Sequence, residues 1–327
     1  MLTLLWGLRS EGPLAAVLRE LDRLGATTRL IDQRDVLETE VELEVAADVK
    51  GFVRIGDQTV DLIDVTAFYV RPYDWQDLPV IASAGPNSSA WRHAASVHDV
   101  LSSWSEITPA LVVNRLAASA CNGSKPYQLQ QIRQLGFRVP ETIVTTDPKA
   151  AMDFWERHES VIYKSVSSVR SRVSRLKCEH LGRLADVAFC PTQFQRFIAG
   201  TDYRVHVVGN EVFACEVRSE ADDYRYPGQN QVEIEACRIP SDVEDRCRRM
   251  ASAMRLSVAG IDLRRSSVDD DWYCFEVNPS PGFIYYENAT GLPISAAIAR
   301  LLAAGNHDVT STCRTLTASH RGWASEV

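Results

Sequence analysis

Between positions 260 and 282 the chain reads GIDLRRSSVDDDWYCFEVNPSPG, two apolar runs separated by a polar turn and stopped by Pro279 and Pro281. No other fragment limits the fold as strongly, because it demands an antiparallel ribbon with charge at one end. Side chains alternate across a strand, so Glu276 and Asn278 share one face while Phe275 and Val277 are expected to enter the core. Asp262 lies on the preceding run, and a hairpin pairing brings its carboxylate alongside. Two carboxylates and an amide carbonyl are hard oxygen donors that suit Mg2+. A solvated strand end with incidental acids is the plainer alternative.

The rest of the chain supplies a setting for such a ribbon. Its 327 residues correspond to about two domains at roughly 150 residues each. With 45% hydrophobic and 24% charged residues, disordered and fibrous classes are excluded. The net charge of -8 repels polyphosphate backbones, so no nucleic-acid partner is expected. No run approaches the ~20 apolar residues of a membrane helix, and the N-terminus has no secretory signal pattern. Eight cysteines stand singly, without CxxC spacing, and read as reduced thiols of a cytoplasmic protein. Cys215 and Cys274 fall inside apolar runs as small hydrophobes.

The order of elements is α/β. A strand at Leu2 to Trp6, an amphipathic helix at Pro13 to Leu24 and a strand at Thr28 to Ile31 open the chain, and a hairpin is expected around Gly56-Asp57. A helix from Trp91 to Trp104 and the strand LVVN complete a first unit. In the second, Ser124 can cap a helix that ends at Gly136, followed by a strand at Thr142 to Thr146 and a helix at Lys149 to His158. Strands at Val161 to Val166 and Arg172 to Leu176 come next, then TQFQRFI and a hairpin turning at Gly209-Asn210. A helix from Asp242 to Leu256, the ribbon, and a helix from Ile294 to Leu302 follow, and the last twenty or so residues read as a loose tail.

Several basic residues fall where an anion would be welcome. Lys125 stands at a helix start, where free N–H groups and the dipole favour negative charge; an exposed helix-end lysine explains it too. Lys164, in the apolar strand VIYKSV, needs an anionic partner. The serines and arginines of SVSSVRSRVSR suit phosphate oxygens, or form a basic solvated hairpin. Asp202, Arg204 and His206 share one strand face, Arg225 follows in a loop, and His206 reads as a satisfied core or edge residue.

In this order NGSKPYQLQQIRQLGFRVPETIV, VIYKSV, QFQRFIAGTDYRVHVVG, GIDL and FEVNPSPGF resemble the ATP-grasp superfamily, in its branch of RimK-type glutamate ligases, glutathione synthetases and ligases that crosslink ribosomal peptides. The match runs from about Asn114 to Leu302. It implies a pre-ATP-grasp α/β domain over 1–115, a small lid subdomain over 116–190, a large subdomain with the metal site over 191–305, and a flexible tail over 306–327. By motif, Lys125 and Lys164 would contact ATP phosphates, Gln195, Phe197 and Ile198 the adenine, and Asp202 the ribose. Asp262, Glu276 and Asn278 would hold Mg2+, conventionally two ions, with Mn2+ as a substitute. Arg225 and Arg204 match arginines near the γ-phosphate and acyl centre. Two departures stand out: SVSSVRSRV lacks the glycines of the family's phosphate loop, and Arg196 replaces a common Glu beside the hinge.

The resemblance implies a carboxylate-amine ligase. A carboxylate attacks the γ-phosphorus of ATP, and an amine then displaces phosphate from the acyl-phosphate. The partners are amino-acid or peptide substrates, and a homo-oligomer is left open. Three alternatives remain: a ligase making ester or amide crosslinks in a precursor peptide, a phosphotransferase of the same fold, and an ATP-binding regulatory module. The complete set of metal donors and lysines argues against the last.

Overall fold

A computed structural model describes residues 1–166, 173–219 and 232–305. The Arg225 loop, positions 167–172 of the serine- and arginine-rich run, and the C-terminal tail lie outside the described residues. The chain divides into two units, one formed by residues 1–117 with the segment from Pro293 onward, the other by Ala118–Leu292.

The first unit opens with β1 (Leu2–Gly7), α1 (Gly12–Arg23) and β2 (Thr27–Asp32), then a meander of β3 (Thr39–Val45), β4 (Val49–Ile55) and β5 (Gln58–Asp61). β6 (Val65–Arg71), α2 (Pro79–Ala84), α3 (Ser89–Ile107) and β7 (Leu111–Val113) follow. The expected β-α-β start is present, and the hairpin turns at Gly56-Asp57 between β4 and β5. A parallel sheet in the order β2-β1-β6-β7 buries its apolar runs: Leu4, Trp6, Phe68 and Val70 pack with Leu101 and Trp104 of α3. Glu11 caps α1 by accepting from the Leu14 N–H and also receives the buried Arg71 guanidinium, which ties the helix start to the end of β6.

The second unit carries α4 (Leu116–Ser119) at its border, then α5 (Lys125–Gln134), β8 (Thr142–Thr145), α6 (Pro148–Arg157), β9 (Val161–Ser165), β10 (Ser174–Arg175) and 3-10 turns over Cys178–Phe189. β11 (Thr192–Arg196), β12 (Gly200–Val208), β13 (Glu211–Ser219), β14 (Val232–Cys237), α7 (Ser241–Ala253), β15 (Val258–Ser266), β16 (Trp272–Asn278) and α8 (Ile284–Thr290) complete it. Two antiparallel sheets result, β10-β9-β11-β8 and β14-β13-β12-β15-β16. The β12–β13 hairpin turns at Gly209-Asn210, where Gly209 takes a φ of +55°. Of the expected strand at Arg172 to Leu176, only Ser174–Arg175 is strand among the described residues. Ser124 sits at the N-cap of α5 without a side-chain capping bond.

The larger sheet has two distinct faces. Val205, Val207, Ile261, Leu263, Cys274 and Val277 enter a core with Val243, Cys247 and Met250 of α7. On β16 the alternation breaks. A register shift after Asp262 pairs Leu263 with Cys274, so Phe275 is the extra residue of a bulge and leaves the core that the sequence pattern assigned to it. The ring instead lies 5.4 Å from the Arg264 guanidinium.

A last helix, α9 (Ile294–Ala304), groups with the first unit, packed on α1 and β6, although the sequence reading carried the large subdomain to residue 305. Its apolar residues Ile294, Ile298 and Leu302 are buried.

Gln128 ties α5 to the backbone of β16. The buried Gln128 amide donates to the Val277 carbonyl at 2.7 Å and accepts from its N–H at 3.1 Å, closing the outer edge of the sheet. A Gln128→Leu substitution keeps the volume but strands both backbone groups. It is expected to cost about 2 kcal/mol, read as a lower urea midpoint for the unfolding of this unit.

Candidate active site

The ribbon pairs as the sequence demands. Asp262 stands directly across from Glu276 on β16, and on its other side across from Arg204 on β12. One step along, Gly260 lies between His206 and Asn278. Because alternate residues share a face, Asp202, Arg204, Asp262, Glu276 and Asn278 all project from the side opposite the α7 core.

Each acid of the central row meets a cation. Arg204 Nη1 donates to Asp262 Oδ1 at 2.5 Å, and the Lys125 ammonium donates to Glu276 and, at 2.7 Å, to Asn122 Oδ1. Lys125 comes from the first turn of α5, so the Gln128 clamp on β16 also sets the reach of this lysine. Burial raises the Glu276 pKa, but the charge and hydrogen bond of Lys125, with the charges of Lys164 and Arg204, outweigh it and hold the group below its ordinary 4.5. Lys164 of β9 thus acts on the same carboxylate from the smaller sheet.

Space for the arginine is made by a missing side chain. A Cβ on Gly260 would collide with the Arg204 guanidinium and come within 2.7 Å of Pro281 Cβ. Beside it His206 is buried, 5.3 Å from the Tyr286 ring, and neither ring nitrogen has a hydrogen-bond partner among the described residues. Burial, then the charge of Arg204, pushes its pKa well below the ordinary value, so the imidazole is neutral. Cys215, opposite Arg204 on β13, and Cys274 are buried with raised pKa values, first through burial, and act as the expected small hydrophobes.

A second cluster surrounds Asp202. Arg264 grips its carboxylate with two bonds, at 2.6 and 2.7 Å, and donates to the Ile198 carbonyl at 2.8 Å. Its guanidinium also faces the Phe197 ring at 5.4 Å, and Arg175 covers that ring at 3.8 Å. The Phe197 N–H is donated to the Ser160 carbonyl, and Gln195 Nε2 donates to Thr142 Oγ1. Sequence reading passed over Arg264 and Gln128. The signal for Arg264 was present, since alternation places it on the face of Asp262.

Asp262, Glu276 and Asn278 are suited by type and placement to a hard divalent cation: two carboxylates in register and an amide oxygen two residues on, which here accepts from the Ser280 N–H. Among the described residues no group of three or more His, Cys, Asp and Glu gathers that could hold a metal ion. No helix among them is long and apolar enough to cross a membrane.

Comparison with known proteins places this geometry in context. Residues 125–302 match the RimK-like ATP-grasp domain. A probable alpha-L-glutamate ligase of Picosynechococcus is 34% identical over 112 residues, 33% of this chain and 36% of the relative. The chain therefore spans little more than a third of the length of such curated relatives. Solved structures extend further. The ATP-grasp ligase PsnB, complexed with its minimal precursor, Mg and ADP, aligns over 92% of this chain and 96% of its own at 26% identity, with a TM-score of 0.75. The macrocyclase MdnC of Microcystis aeruginosa, bound with the precursor peptide MdnA, aligns over 92% and 99% at 23% identity, also at 0.75.

The depressed Glu276 pKa carries a sign for stability. The carboxylate stabilises the fold above the ordinary 4.5, and this contribution is lost as pH falls through the lower folded value. Urea unfolding of the wild type and of Glu276→Gln across an acid series is expected to give midpoints that converge as the pH drops through that window. A gap that persists into strong acid would refute the assignment.

Proposed function

The chain belongs to the RimK-like ATP-grasp family, and from that premise we propose that it is an ATP-dependent ligase that joins a carboxylate to an amine through an acyl-phosphate. The observation that carries the reading is the convergence of Lys125, Lys164 and Arg204 on the paired acids Asp262 and Glu276. Phosphoryl transfer asks a protein chiefly for positioning and charge neutralisation, and this face supplies both.

In the proposed reaction Lys125 and Lys164 hold the phosphates, and Gln195, Phe197 and Ile198 line the adenine. Asp202 faces the ribose, braced by Arg264. The Phe197 N–H is already donated to Ser160, so the part of this residue in base binding does not run through that N–H. Mg2+ on Asp262, Glu276 and Asn278, as two ions and with Mn2+ as a substitute, would neutralise triphosphate charge. Arg204 stands by the reacting carboxylate, and Arg225, outside the described residues, is assigned to the same centre by motif. The substrate carboxylate attacks the γ-phosphorus and ADP leaves; the amine attacks the acyl carbon, phosphate departs, and a proton is lost from nitrogen. Exclusion of water protects the acyl-phosphate, a task proposed for the lobe before residue 190.

A second reading concerns the acceptor. The alignment with PsnB and MdnC, both solved with precursor peptides, covers both units, whereas the glutamate-ligase match covers a third of the chain. This supports a peptide substrate, with ester or amide crosslinks as the product.

Incubation with ATP, Mg2+ and amino acids or acidic peptides, followed by mass spectrometry, tests both readings. Loss of one water from a joined or crosslinked product is expected, together with ADP. Gain of a phosphate on the acceptor would instead establish a phosphotransferase. Glu276→Gln is expected to lower turnover by at least a hundredfold, on the scale of losing one preorganised electrostatic contact, while the far-ultraviolet circular dichroism stays unchanged.

A further inference from the structure

On the smaller sheet, Gln193 is buried, and both polar atoms of its side chain, Oε1 and Nε2, are without a hydrogen-bond partner among the described residues. A buried amide in this state destabilises the fold, whereas Leu or Met would fill the same space without that cost. The position is not peripheral. Gln193 lies in the middle of β11, opposite Lys164 on β9 and Val144 on β8, and shares its face with Gln195 two residues on. Phe194 points the other way, into the core with Phe154 and Leu184. Gln195 already donates to Thr142. Gln193 thus holds an open donor and an open acceptor on the face that carries two residues proposed above for ATP.

We infer that Gln193 reads the base: its amide accepts from the adenine N6 amino group and donates to N7. The inference rests on the ATP-dependent reading and goes beyond it by naming the residue that selects adenine. An amide presents a donor and an acceptor side by side, and this edge of adenine presents the matching pair. A phosphate oxygen would satisfy Nε2 but leave Oε1 unpaired. Guanine offers two acceptors at the same edge, so the amide oxygen would face another oxygen or nitrogen lone pair. Lys164 is a donor only and cannot make this distinction.

Binding of ATP, 7-deaza-ATP and GTP by the full chain, with Mg2+ present, separates the possibilities. The wild type is expected to bind ATP about tenfold more tightly than 7-deaza-ATP, which lacks only the N7 acceptor, and to bind GTP at least as poorly. Gln193→Leu should bind ATP and 7-deaza-ATP alike, with a ligand-free melting temperature equal to or above that of the wild type. Equal affinity of the wild type for the two adenine nucleotides overturns the inference while leaving the ligase reading intact. A variant that keeps the preference, or one that melts lower because the amide is structural, also overturns it. Absence of any ATP binding by the wild type brings down the ligase reading itself, and this inference with it. The 7-deaza-ATP comparison needs no variant, so a misfolded Gln193→Leu would not protect the idea.

Discussion

The second unit depends on one cross-strand register, the alignment that sets Glu276 against Asp262 and Asp262 against Arg204. Like charges directly opposite each other destabilise a sheet. Two carboxylates can share this row because a cation reaches each of them, Arg204 from within the sheet and Lys125 from α5. The pairs are partly withdrawn from water, so removing one partner costs far more than the pair contributes.

Two backbone features make the register usable. Gly260 leaves the room in which the Arg204 guanidinium lies beside Asp262, a requirement of space and not of backbone conformation. The bulge at Phe275 changes the parity of β16, so that Cys274 and Val277 both reach the core although they are three residues apart. Without it, a strand that buried Cys274 would bury Glu276 as well. The Gln128 clamp then ties α5 to this same strand and carries Lys125 to its acid.

The supporting interactions sit one layer behind the expected residues. Asp202 is shaped by Arg264, whose guanidinium also reaches the Ile198 carbonyl and the rings of Phe197 and Phe275. Arg264 therefore links the segment after β11 to the strand that carries Asp262. His206 and Gln193 show the opposite arrangement, polar groups buried without partners among the described residues, which a fold tolerates at a cost.

Much of this was legible in the residues. Alternation put Glu276 and Asn278 on one face, an expected hairpin pairing brought Asp262 alongside, and the turn residues at Gly56 and Gly209 located two further hairpins, because strand period and turn chemistry are local properties. The bulge was not legible: FEVN alternates perfectly, and only pairing with β15 shows that Phe275 is the extra residue. The grouping of α9 with the first unit was equally hidden, since an amphipathic helix announces an apolar face and not the surface that covers it. Gln128, Arg264 and Gln193 read as ordinary polar residues of a helix and two strands. Their partners, or their lack of partners, come from positions tens to more than a hundred residues away, and that is a property of the packed chain alone.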